Sequence, residues 1–76
     1  KVKVQFGAFK NEKNIKKLDR KLSKIFKTEF GNDYGTFSII KSNKHFKLIL
    51  NTNSVKDAKK ICDFSKINKI NCLIIN

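Results

Sequence analysis

Few side chains in this sequence are equipped for bond-making chemistry, and those few stand apart. His45 is the single histidine, with no serine, cysteine or second histidine at a spacing that would make a nucleophile–base pair or a metal site. Cys62 and Cys72 are the only cysteines and form no CxxC, which excludes the common zinc arrangements. Both read as structural residues in or near a core. Whether they are bridged stays open at this level, because a disulfide needs a close approach of two backbones and an oxidising compartment. No two carboxylates fall on one plausible site, so neither catalysis nor a metal or other cofactor is expected.

Recognition is left. Eighteen Lys and Arg against six Asp and Glu give a net charge of +12, which favours polyanionic partners such as nucleic acid, anionic headgroups or acidic polysaccharide. Lysine makes up all but one of those cations, and asparagine and isoleucine are also abundant, a composition that AT-rich coding produces by itself. The charge therefore names a class of partner and not a member of it.

The residues that would do the recognising must be placed by a small fold. Seventy-six residues make one domain near the lower size limit for an unstapled core, so nearly every large apolar side chain is needed for packing. There is no signal-like segment and no apolar run long enough to span a bilayer. With Lys1 rather than Met at the start, this predicts a domain, residues 1–76, belonging to a larger protein.

Val2, Val4 and Phe6 alternate with Lys3 and Gln5, the period of a half-buried strand that Gly7 is expected to end. Asn11 can cap a helix whose apolar stripe is Ile15, Leu18, Leu22, Ile25 and Phe26, about three turns, with lysines on its other faces. Gly31, Asn32, Asp33 and Gly35 mark residues 28–35 as a loop. A second strand over 36–40, a turn over 41–44 and a third strand over 46–50 follow. Residues 51–54 stop that strand and offer caps for a second helix with the stripe Val55, Ala58, Ile61, Cys62 and Ser65. Residues 71–75 close with a fourth strand.

The order is β-α-β-β-α-β, an α+β two-layer sandwich. "VKVQFG" (2–7) echoes "FKLILN" (46–51), each followed by a capped amphipathic helix and a strand. Right-handed crossovers put strands one and three at the centre of a four-stranded antiparallel sheet, with both helices on one face and the other face open. If Val2, Val4 and Phe6 point under the helices, Lys3 and Gln5 point out, and the same parity sends Lys47 and Ile49 outward from the third strand.

"VQFGAF" (4–9), followed by "KNEKNIKKLDRKL", resembles the opening of a SPOR domain, the peptidoglycan-binding module of bacterial cell-division and envelope proteins. Gln5, Gly7, Ala8 and Phe9 stand where the family pattern V-Q-x-G-[AS]-F wants them. The second half departs: Phe46-Lys47-Leu48 fits the family's Y-R-V, but Asn51-Thr52-Asn53 replaces G-P-F and the 28–35 loop is longer than usual.

The resemblance implies a non-catalytic module that binds glycan strands stripped of their stem peptides and localises its parent protein to the septum or envelope. Its site would be the open sheet face: Gln5, Lys3, Lys47, Ile49, Ile40, Ser38 and Tyr34. Removing a stem peptide frees a lactyl carboxylate, which amide donors and ammonium groups can pair with. Ile40 and Ile49 would be either a platform for a sugar ring or ordinary aliphatic surface. Two roles are open to Tyr34, stacking on a sugar and closing the edge of the core. The implied location is the periplasm or cell envelope of a bacterium, reached through targeting segments outside this chain, as a monomeric domain binding neither metal nor nucleic acid.

Two rivals share the topology. An RNA-binding domain would use the same open face and the same charge, but it needs aromatic side chains on the two central strands, where this sequence offers Lys3, Gln5, Lys47 and Ile49. The second is a small ferredoxin-like metal carrier or regulatory domain: the carrier would need a CxxC loop, which is lacking, and the regulatory domain leaves no positive mark in the sequence.

Overall fold

The structure is a computed structural model that describes residues 2–75. Its elements are β1 (Val2–Phe9), α1 (Glu12–Phe30), β2 (Thr36–Ser42), β3 (His45–Thr52), α2 (Val55–Ile67) and β4 (Leu73–Ile75). The strands form one antiparallel sheet in the order β2-β3-β1-β4, so β1 and β3 are central as the two-unit reading requires. Val4 and Phe6 of β1 and Leu48 and Leu50 of β3 are buried with Ile15, Leu22 and Phe26 of α1 and Ala58, Ile61 and Cys62 of α2 in a single core. Both helices therefore cover one face and leave the other open.

Helix α1 starts on the expected cap Asn11, and α2 on Ser54, one of the residues 51–54 that offered caps. Asn11 Oδ1 accepts the Lys13 amide at 2.8 Å, and Ser54 Oγ accepts the Asp57 amide at 3.1 Å, satisfying donors that have no partner within the first turn. On α2 the buried Ser65 donates back to the Ile61 carbonyl at 2.8 Å, so a hydroxyl can sit in the core without an unmet donor.

Several boundaries move, each for a local reason. Gly7 does not end β1. It enters a β-bulge: Gln5 pairs with Ile49, but the next pair is Ala8 with Lys47, so Phe6 and Gly7 together face Leu48. The bulge shifts the alternation by one, and Phe9 packs on the core while Ala8 is exposed. Gly7 lies at φ +149°, and a Cβ there would come within 3.2 Å of the Phe9 ring, which is why a residue without one occupies the extra position.

Helix α1 continues past the predicted stripe because Phe30, one turn beyond Phe26, lays its ring against both Phe26 and Phe64 at 5.7 and 5.2 Å. The loop shrinks from 28–35 to 31–35. Strand β3 runs to Thr52, whose buried hydroxyl donates to the Val2 carbonyl at 2.8 Å and ties the end of β3 to the start of β1. Strand β4 is shorter than predicted, since residues 71 and 72 belong to the connection leaving α2. Cys72 in that connection is bridged to Cys62 of α2, with Cα atoms 5.5 Å apart.

Gly35 marks the tightest backbone approach in the loop before β2. At φ +127°, a Cβ would drive into the Asn51 carbonyl oxygen and sit 3.2 Å from Leu50 Cδ1. Gly35→Ala is expected to cost at least about 1–2 kcal/mol, measured as a lower urea midpoint with an unchanged m-value, because the left-hand conformation and the clash act together.

Candidate functional site: the open sheet face

The register fixes which side chains share the open face. Across the sheet, one row runs Thr36, Asn51, Lys3, Ile75; the next runs Ser38, Ile49, Gln5, Leu73; a third runs Ile40, Lys47, Ala8. Rows of neighbouring strands lie about 4.8 Å apart, so any of these side chains can act on one extended ligand. Gln5 sits at the middle of this surface. It is half-buried between Ile49 on one side and Leu73 on the other, so its amide is held by neighbours while remaining reachable.

Lys3 is exposed and Lys47 and Ser38 are half-buried on the same face. Asn51 Nδ2 donates to the Thr36 carbonyl at 3.3 Å and to Ser38 Oγ at 3.4 Å, orienting the serine hydroxyl toward the centre of the sheet. Ile40, 42 % exposed, supplies apolar surface on the β2 side, and Leu73 at 59 % and Ile75 at 36 % supply it on the β4 side.

Two of the expected contacts are placed differently. Ile49 points outward as the parity requires, yet it is only 4 % exposed. It has Ser38 and Gln5 directly opposite and Lys47 and Asn51 before and after it on the same face, so it is the floor of the surface and not a platform upon it. Tyr34 is not on this face. Its ring lies 5.8 Å from Phe26 and 5.9 Å from Phe37 on the helix side, where it closes the edge of the core.

Asn51, Leu73 and Ile75 belong to the face although the sequence reading did not include them. The alternation that gives Lys47 and Ile49 also reaches Asn51, but the Asn51-Thr52-Asn53 run reads as a strand stop. Leu73 and Ile75 follow only from the pairing of β4 with β1, which no local pattern specifies.

The electrostatics of the face follow from what it omits. All six acids, Glu12, Asp19, Glu29, Asp33, Asp57 and Asp63, lie on the helices or in the 31–35 loop. Among the described residues the outer sheet face thus carries ammonium groups, amides, hydroxyls, aliphatic surface and the imidazole of His45, which stands opposite Ser42 at the hairpin end of β3, with no carboxylate and no Phe, Tyr or Trp ring. Such a surface can donate hydrogen bonds to sugar hydroxyls and amides, attract carboxylates, and rest the apolar side of a pyranose on an isoleucine or leucine.

Models of known protein families, curated proteins and solved structures were all compared with this chain. It matches none of them. The functional reading therefore rests on the site and on the likeness of its β1 motif to the SPOR pattern.

Proposed function

We propose that the chain is a non-catalytic SPOR-like module that binds peptidoglycan glycan strands lacking stem peptides through the open face of its sheet, and so localises a larger protein to the bacterial septum or envelope. The observation that carries this is Gln5: a half-buried amide at the centre of an acid-free face, in the strand whose V-Q-x-G-[AS]-F motif supplies both the amide and the bulge beside it. A denuded strand offers hydroxyls, N-acetyl groups and one free lactyl carboxylate per muramic acid, and Lys3, Lys47, Gln5 and Ser38 are the donors that such a ligand would need. The Cys62–Cys72 bridge is in keeping with an oxidising compartment such as the periplasm.

The test is sedimentation with sacculi before and after amidase treatment. Binding is expected mainly after treatment, and Gln5→Ala is expected to weaken it while shifting stability by no more than about 0.5 kcal/mol, because the substitution leaves the core untouched. Equal binding to treated and untreated sacculi would refute the reading.

RNA binding is the alternative that the charge alone favours. Among the described residues its stacking chemistry has no Phe, Tyr or Trp on the outer side of β1 or β3 to work with, and the one imidazole there, His45, stands at the hairpin end of β3 away from the centre of the face. Excess single-stranded RNA at physiological ionic strength is therefore expected to leave most of the domain on treated glycan, since screening removes the long-range attraction and leaves shape and the Gln5 hydrogen bond.

A further inference from the structure

We propose that the connection from α2 to β4 forms a second wall of the sugar site, and that Lys66 and Lys69 on it receive the ligand's carboxylate. This rests on the glycan reading and adds to it a subsite beyond the sheet face. A groove of about 630 Å³ lies beside Gln5 and Gly7, with Lys66, Lys69, Asn71 and Leu73 on its other side. That volume is within the roughly 300–1,000 Å³ usual for small-molecule sites. The lining contains two ammonium groups and two side-chain amides and no acid.

Lys69 is the telling residue. Helix α2 ends in a Schellman turn, the Lys69 amide donating to the Lys66 carbonyl at 3.0 Å and the Ile70 amide to the Ser65 carbonyl at 2.8 Å. The residue at the head of that turn takes the left-handed conformation, here φ +60°, and glycine is the residue that does so without strain. A lysine in that position costs stability relative to glycine, and what it adds there is an ammonium group on the groove. Three residues further on, Cys72 is fixed to α2 by the disulfide, so the wall is held at both ends before any ligand arrives. Lys66 by itself would need no ligand to explain it, because a cation in the last turn of a helix complements the helix dipole. Its place on the same groove as Lys69 is what makes the pair a carboxylate site.

The experiment compares two soluble glycan oligosaccharides without stem peptides, one with free lactyl carboxylates and one with those carboxylates reduced to alcohols, titrated into the oxidised chain. Lys69→Gly is expected to keep or raise the melting temperature while weakening affinity for the carboxylate form about tenfold, equivalent to ~1.4 kcal/mol. It should barely change affinity for the reduced form. Lys69→Arg should retain most of the carboxylate binding. Unchanged carboxylate affinity in Lys69→Gly, with the wild type still preferring the carboxylate form and Gln5→Ala still impaired, would overturn this subsite and leave the sheet-face reading standing. An equal loss for both oligosaccharides would assign Lys69 a structural role and overturn it too. Failure of the wild type to bind either oligosaccharide would bring down both proposals.

Discussion

Phe26→Ala is expected to leave little folded protein at 25 °C. Phe26 is fully buried, and its ring lies within 5.5–5.9 Å of Phe6, Phe30, Tyr34, Phe37 and Phe64. One side chain thus joins α1 to β1, β2 and α2. Truncating a buried phenylalanine costs about 3–5 kcal/mol, the sum of lost transfer energy and the cavity left behind. A 76-residue domain sits toward the lower end of the usual 5–15 kcal/mol of stability, so a loss of that size takes most of it. Near-ultraviolet circular dichroism and thermal melts would register the change. A melting temperature within a few degrees of wild type would mean that the aromatic cluster does not assemble as described.

Breaking the Cys62–Cys72 bridge is expected to lower stability by about 2–3 kcal/mol, whether by reduction or by the double replacement Cys62→Ala, Cys72→Ala. The linked residues are ten apart, and on the chain-entropy account a closed loop of that length constrains the unfolded state by about this much. In so small a domain each kcal/mol moves the melting temperature by roughly 4–8 °C, so a shift on the order of 10 °C or more should be seen. Damage should be concentrated in β4. Among the described residues that strand has three members, pairs with Lys3, Val4 and Gln5 alone, and reaches α2 covalently through Cys72. Amide exchange in residues 73–75 is expected to accelerate on reduction well before that of β1 and β3. Uniform acceleration across the sheet would show instead that β4 is not a separable unit.

How much of this was legible beforehand depends on whether the signal was local. The alternation Val2, Val4, Phe6 against Lys3, Gln5 specified the inner face of β1, and the cap Asn11 and the cap-bearing run 51–54 specified where the helices begin, because each is a short-range property. The repeat of the two β-α-β units, with the right-handed crossover rule, specified that β1 and β3 are central. The sequence reading went astray where tertiary contacts overrule local preference. Thr28, Glu29 and Phe30 read as loop but remain helical because Phe30 gains two aromatic neighbours. Ile49 read as exposed because parity says which way a side chain points and nothing about how its neighbours lie across it. Tyr34, with two roles open in the sequence, was decided by the rings of Phe26 and Phe37, and the groove beside Gln5 depends on a loop that no periodicity describes.

The bulge at Phe6 and Gly7 uncouples chain length from side-chain sorting. Because two residues there face the single Leu48, Ala8 and Phe9 regain their partners Lys47 and Phe46 immediately afterwards. A strand shortened by Gly7 would keep every other residue of β1 on the face it already occupies. What would change is the outline of the surface just past Gln5, where Gly7 now borders the groove. One-residue insertions and deletions at this point would reshape the cleft without re-registering the sheet, so the outline of the surface can vary independently of the core.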